Sequence, residues 1–127
     1  MIQTIFDFLR SLTVMSTPAL YGEAFGLYVI EAMAAGIPLV QPRHGSFPEL
    51  IEATGGGVIC EPTVEGLAAS IEQLLSNPIA LGSMSESGRK AVFQHFSVER
   101  MAEGVAQVCQ DVLKPKIQNQ WQPTNSK

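Results

Sequence analysis

Residues 18–40 read P-A-L-Y-G-E-A-F-G-L-Y-V-I-E-A-M-A-A-G-I-P-L-V. From Leu27 to Ala35 the stretch reads as a helix, and Gly36 supplies the stop that ends many helices. Ile37–Val40 is a short apolar run of the kind that is buried on both faces of a sheet, and Pro42 halts it. Upstream, residues 12–17 (L-T-V-M-S-T) read as another short strand closed by Pro18, and a loop through Gly22 and Gly26 leads from it into the helix. Strand, loop, helix, turn and strand form the unit from which parallel α/β sheets are built.

The alternation continues outward. Gly45-Ser46-Phe47-Pro48 is turn chemistry, and Pro48 suits the first position of a short helix through Glu52. Gly55-Gly56-Gly57 precedes a third strand, Val58-Ile59-Cys60. Thr63 can cap the next helix, whose Leu67, Ile71, Leu74 and Leu75 form one stripe, and Asn77-Pro78 ends it. A helix over about 79–94 and another after Ser97, with Val98, Met101, Val105, Val108 and Val112 on one face, follow. Residues 3–10 are helical in spacing through Ile5, Phe6 and Leu9. The expected fold is α/β, a partial Rossmann-like domain of about three short parallel strands flanked by helices. Residues 1–113 form the domain and 114–127, with Trp121, a polar tail.

The chain has 127 residues, 46% hydrophobic and 16% charged, enough to bury a core in one domain. A net charge of −4 repels a polyanion, which argues against nucleic acid as a partner. Cys60 and Cys109 lie in apolar runs, read as buried free thiols and suit a reducing cytoplasm, the expected location. The start, M-I-Q-T-I-F-D-F-L-R-S, lacks the cationic region of a signal peptide, and no run reaches the roughly 18 apolar residues of a membrane span.

Ligands of parallel sheets sit beyond the carboxyl ends of the strands, which directs attention to the loops at 18–26, 42–47 and 61–63. In the first, Gly22 and Gly26 permit close approach to the backbone, and free N–H groups on Gly26, Leu27 and Tyr28 would make a helix-start site suited to diphosphate. The helix dipole adds about 0.3–1 kcal/mol to such a site. Glu23 and Glu31 bracket the helix start, with Glu31 about 6 Å along the axis, too far for a shared-proton pair. A carboxylate only accepts hydrogen bonds, so each is matched to a vicinal diol, at about 1.5–3 kcal/mol per charge-assisted bond. Diol, diphosphate, diol is the outline of a nucleotide-sugar. The plainer readings are a strand-to-helix turn, a loop acid and a helix-surface acid.

The run E-A-F-G-L-Y-V-I-E-A-M-A-A-G-I-P-L-V resembles the signature of glycosyltransferase family 4 (group 1): Glu, seven residues, Glu, then Ala-Met-Ala-x-Gly-x-Pro-hydrophobic-Val. F-P-E-L-I, G-G-G-V-I-C-E-P and F-S-V-E-R-M also fit, so the resemblance covers residues 1–113. It implies the two-domain GT-B fold, of which this chain carries the C-terminal half of the donor domain. It implies that Glu31 binds the ribose hydroxyls and that Glu23, in the catalytic position, contacts the donor sugar. Phe25, Gly26 and Leu27 then approach the sugar and diphosphate through backbone amides. Transfer from a UDP- or GDP-sugar, with retention and without a metal or other cofactor, goes to an acceptor hydroxyl on a sugar or lipid.

Arg43, His44 and Gly45 stand at a strand's carboxyl end, from which they can contact phosphate or acceptor; a solvated loop is the plainer description. Ser46 departs from the glycine pair of many relatives and leaves a ligand less room. The upstream strand–helix units, with their diphosphate-facing Arg and Lys, and the acceptor domain are missing. The chain is therefore expected to be an inactive fragment; the alternative is a non-catalytic nucleotide-sugar-binding or interaction module. A bare edge at 12–17 leads to the expectation of a homodimer, through that edge or an exchanged segment.

Overall fold

Pro38 and Pro42 set the width of the sheet. In the computed structural model, which describes residues 4–19 and 21–114, the chain runs α1 (Ile5–Arg10), α2 (Leu27–Ala34), β1 (Leu39–Pro42), α3 (Phe47–Thr54), β2 (Gly57–Cys60), α4 (Val64–Leu75), α5 (Pro78–His95) and α6 (Val98–Leu113). β1 and β2 pair in parallel, from Leu39 opposite Gly57 to Pro42 opposite Cys60. The strand expected at 12–17 reduces to one parallel bridge, Met15 to Leu39. Met15 donates to Pro38 C=O and its own C=O accepts from Val40, each at 3.0 Å. One rung to either side the ladder would need an N–H from Pro38 for Thr13 and from Pro42 for Thr17, and proline has none. The Thr17 N–H goes instead to the side chain of Gln41, at 3.1 Å. The sheet is thus two strands and a tethered segment.

Leu39 and Val40 point to opposite faces, and each face has its own cluster of buried side chains. Leu39 joins Leu9, Val29, Ile30, Met33, Phe47, Leu50, Ile51 and Val92, which gather α1, α2, α3 and the end of α5. Val40 joins Cys60 and Leu74, with Leu67, Ile71, Leu81 and Met84 of α4 and the start of α5 packed around them. Thr63 caps α4 through Gly66 N–H at 3.0 Å. Asn77 ends no more than α4: it caps α5 through Ala80 N–H at 3.0 Å, with Pro78 in the first turn. Burial in the second cluster pushes the Cys60 thiol upward in pKa.

α5 supplies both clusters because it passes the start of β2 at close range. A Cβ on Gly88 would lie 2.8 Å from Gly56 Cα, and one on Gly56 would lie 2.4 Å from Met33 Sδ. Beside this contact, Ser85 Oγ donates to Gly36 C=O at 2.6 Å and ties α5 to the turn after α2. Of the glycines leading into β2, Gly56 and Gly57 are there for space, whereas Gly55 ends α3 in the left-handed region at φ 63°.

The chain divides into two compact units, Met1–Ser97 and Val98–Lys127. The described part of the second is essentially α6, which carries Val98, Met101, Val105, Val108 and Val112 at helical spacing and no buried residue. Cys109, on α6, is exposed, which corrects the expectation that both cysteines are buried: an apolar run was read as burial, but no residue of α6 is buried, its valine stripe included. Trp121 and the rest of the expected tail beyond Lys114 lie outside the described residues. No helix among the described residues is long and apolar enough to cross a membrane.

Two glycines within α5 separate packing from propensity. Gly82 has nothing within 4 Å of a built Cβ, whereas Gly88 abuts Gly56. Gly82→Ala is expected to raise the unfolding free energy by about 0.5–1 kcal/mol. Gly88→Ala is expected to lower it by about 1–3 kcal/mol through overpacking. Urea denaturation of both variants checks the pair; equal effects would mean that α5 does not press on β2.

Candidate functional site

The loop from Pro18 to Gly26 and the connection from β1 to α3 both leave the sheet at carboxyl ends, where parallel sheets collect ligands. Gly26 adopts φ 78° and ψ 57°, and α2 starts on the next residue. Three residues earlier, half-buried Glu23 folds its carboxylate back onto the helix entrance. Its Oε1 accepts from Gly26 N–H at 3.1 Å and Phe25 N–H at 3.3 Å, while Oε2 accepts from the Tyr28 hydroxyl at 3.3 Å. The Gly26 N–H is therefore engaged, which corrects the expectation that it stands free. The physical reason is that a carboxylate three residues upstream reaches the amides of a helix start as a capping side chain does. Among the described residues the N–H groups of Leu27 and Tyr28 have no acceptor, and they lie at the positive end of the α2 dipole. Gly22, the other glycine of the loop, is not in the left-handed region.

The second loop is built against the first. Gly45 sits at φ 53°, and a Cβ there would lie 2.6 Å from the Glu23 carbonyl oxygen and 2.8 Å from its nitrogen. Ser46 N–H donates to Glu23 C=O at 3.0 Å, and Ser46 Oγ donates to Phe25 C=O at 3.2 Å. Gln41 is fully buried in β1 and holds the Thr17 N–H at the start of the first loop. Its Nε2 and the His44 Nε2 are buried and have no hydrogen-bond partner among the described residues. Arg43 reaches Glu61 at 3.9 Å across the strand ends, with both side chains largely exposed, so the pair contributes little.

Glu31 lies on α2 past its first turn, exposed, and its carboxylate has neither hydrogen bond nor ion pair among the described residues. Phe25 and Leu27 are exposed at the same end of the helix. Glu23 touches Phe25, Gly26 and Gly45; neither Glu31 nor Arg43 is hydrogen-bonded to any of these four among the described residues. A cavity of about 240 Å³ lies elsewhere at the strand ends, lined by Pro18, Pro42, Pro62, Thr63 and Leu67 among others, and neither glutamate lines it. The described residues hold no group of three or more His, Cys, Asp or Glu arranged for a metal.

Sequence reading missed the Tyr28 hydroxyl, Gln41 and the contact made by Ser46. Gln41 carries a signal, being the one polar side chain in an apolar strand; Tyr28 and Ser46 act through contacts that no local pattern encodes. The Tyr28 phenol is pushed up to about 12, first by burial and then by the charge and hydrogen bond of Glu23. In Glu23→Gln the phenol is expected to titrate lower, yet still above its ordinary value because burial remains. Tyrosinate absorbance against pH, compared with a Tyr28→Phe control, measures this; an unmoved titration would mean that Glu23 does not engage Tyr28.

Comparison with known proteins agrees with the fold and its order of elements. The family described as Glycosyl transferases group 1 matches residues 3–91. The chain is 34% identical over 93 residues to N-acetyl-alpha-D-glucosaminyl L-malate synthase of Bacillus anthracis, covering 72% of this chain and 24% of that protein. It is 34% identical over 96 residues to MMP alpha-(1->4)-mannosyltransferase of Mycolicibacterium hassiacum, covering 74% of this chain and 23% of that protein. The solved sucrose-phosphate synthase of Thermosynechococcus elongatus superimposes with a TM-score of 0.74 at 27% identity, over 84% of this chain and 27% of that one. The chain thus spans about a quarter of the length of the proteins it matches. With most of its residues matched by the family, this chain belongs to the group 1 glycosyl transferases.

Proposed function

We propose that this chain forms one side of the donor site of a retaining glycosyltransferase that takes a UDP- or GDP-sugar. The observation that carries the reading is the entrance of α2, where two unaccepted N–H groups stand beside an engaged carboxylate and an exposed one lies along the same helix. The N–H groups of Leu27 and Tyr28, with the dipole behind them, suit the diphosphate. Glu31 accepts from the ribose hydroxyls, and Glu23 from the donor hexose. In the transfer itself the bond from the anomeric carbon to the diphosphate oxygen breaks and one to the acceptor oxygen forms on the same face. The acceptor proton passes to the departing phosphate. The amides act by stabilising the charge that develops on that phosphate, and no metal is required.

The acceptor and the remaining diphosphate contacts belong to the parts of the relatives that this chain does not span. Transfer by this chain alone is therefore not expected, and binding of the donor is expected to be weak. Titration by NMR or calorimetry with UDP-glucose and GDP-mannose tests the reading. One of the two should bind, and Glu31→Ala should weaken it by about tenfold or more, the equivalent of one charge-assisted hydrogen bond. Equal affinity in Glu31→Ala, or sugar transfer by the purified chain, would contradict the proposal.

A further inference from the structure

Serine at the start of a helix ordinarily turns its hydroxyl onto that helix's own free N–H groups. Ser46 occupies the N-cap of α3 and makes no such bond. Its Oγ instead reaches back 21 residues to Phe25 C=O, while its N–H donates to Glu23 C=O. These two carbonyls belong to the peptide units 23–24 and 25–26. A trans peptide directs its C=O and N–H to opposite sides. Holding Phe25 C=O from the α3 side therefore turns the Gly26 N–H of the same peptide away from α3, towards the Glu23 carboxylate 3.1 Å off. Gly45, whose left-handed backbone lies directly on Glu23, brings Ser46 close enough to do this.

We propose that Ser46 is a positioning residue: its hydroxyl aims the Phe25–Gly26 peptide so that the Gly26 N–H faces the Glu23 carboxylate and thereby holds that carboxylate in place for the donor. The second half of that statement rests on the transferase reading above; the first does not. The hydroxyl stands where many relatives have a second glycine, and it is bonded to the loop.

Residue-resolved amide hydrogen exchange on the full chain, with UDP and GDP titrations, tests the proposal. In Ser46→Ala the Gly26 amide should exchange roughly fivefold faster, as expected for the loss of one neutral hydrogen bond. The amides of Leu50 and Ile51 in α3 should keep their rates, because the hydroxyl does not cap that helix. Ser46→Thr, which restores a hydroxyl, should return Gly26 to the wild-type rate. An unchanged Gly26 rate in Ser46→Ala, or an equal acceleration across α3, would overturn the assignment by making Ser46 inert or an ordinary cap. In the titration, whichever of UDP and GDP binds the wild type should bind Ser46→Ala more weakly than wild type and Ser46→Thr alike; equal affinity in all three would overturn the donor half alone. A wild-type chain that binds neither UDP nor GDP counts against the transferase reading and the donor half, and hydrogen exchange still decides the peptide orientation.

Discussion

The contact of Gly45 with the backbone of Glu23 is the constraint on which the strand-end architecture depends. A side chain at residue 45 would overlap the Glu23 carbonyl and force the β1–α3 connection away from the loop before α2. With that distance opened, Ser46 could not reach the Glu23 and Phe25 carbonyls, and the turn that brings the Glu23 carboxylate onto the Gly26 amide would lose its outer support. Gln41 holds the other end of the same loop at Thr17. One strand and its exit thus hold the chain before α2 at Thr17 on one side and at Glu23 and Phe25 on the other.

This arrangement gives the helix entrance a particular electrostatic state. A carboxylate already occupies the first donors of α2, and the next two N–H groups remain without acceptors among the described residues. The interaction is local and favourable, since a negative group at a helix start is stabilised by both the orphan amides and the dipole. It also means that Glu23 is held rather than loose, so it presents its remaining acceptor capacity in a fixed direction. Tyr28, whose phenol is half-buried beside it, closes the carboxylate on one flank. In the functional reading, donor hydroxyls meet a preorganised acceptor, and little order has to be imposed on binding.

The sequence made most of the fold legible. The helical stripes placed α4 and α6, glycine and proline signals placed α2 and α3, and the short apolar runs placed β1 and β2 within two residues of their observed starts. The strand expected at 12–17 failed for a reason that was printed in the sequence but required register to see: Pro38 and Pro42 fall on the rungs that it needed. The family signature led to Glu23, Gly26 and Glu31, but not to what Glu23 does in the unliganded loop. Its three-residue spacing to Gly26 was the available clue, and the capping rule reads it. Gly45 and Gly88 are different. Each is glycine because another part of the backbone passes close by, and such long-range crowding leaves no trace in a local pattern.

The central claim is that the α2 entrance receives a nucleotide-sugar, and a chemical-shift map recorded while the donor is added tests it most directly. The account predicts that the amide signals of Gly26, Leu27, Tyr28 and Glu31 move first and furthest. Shifts centred on Thr63, Val64 and Leu67, around the apolar cavity at the other side of the strand ends, with the α2 entrance unmoved, would contradict it.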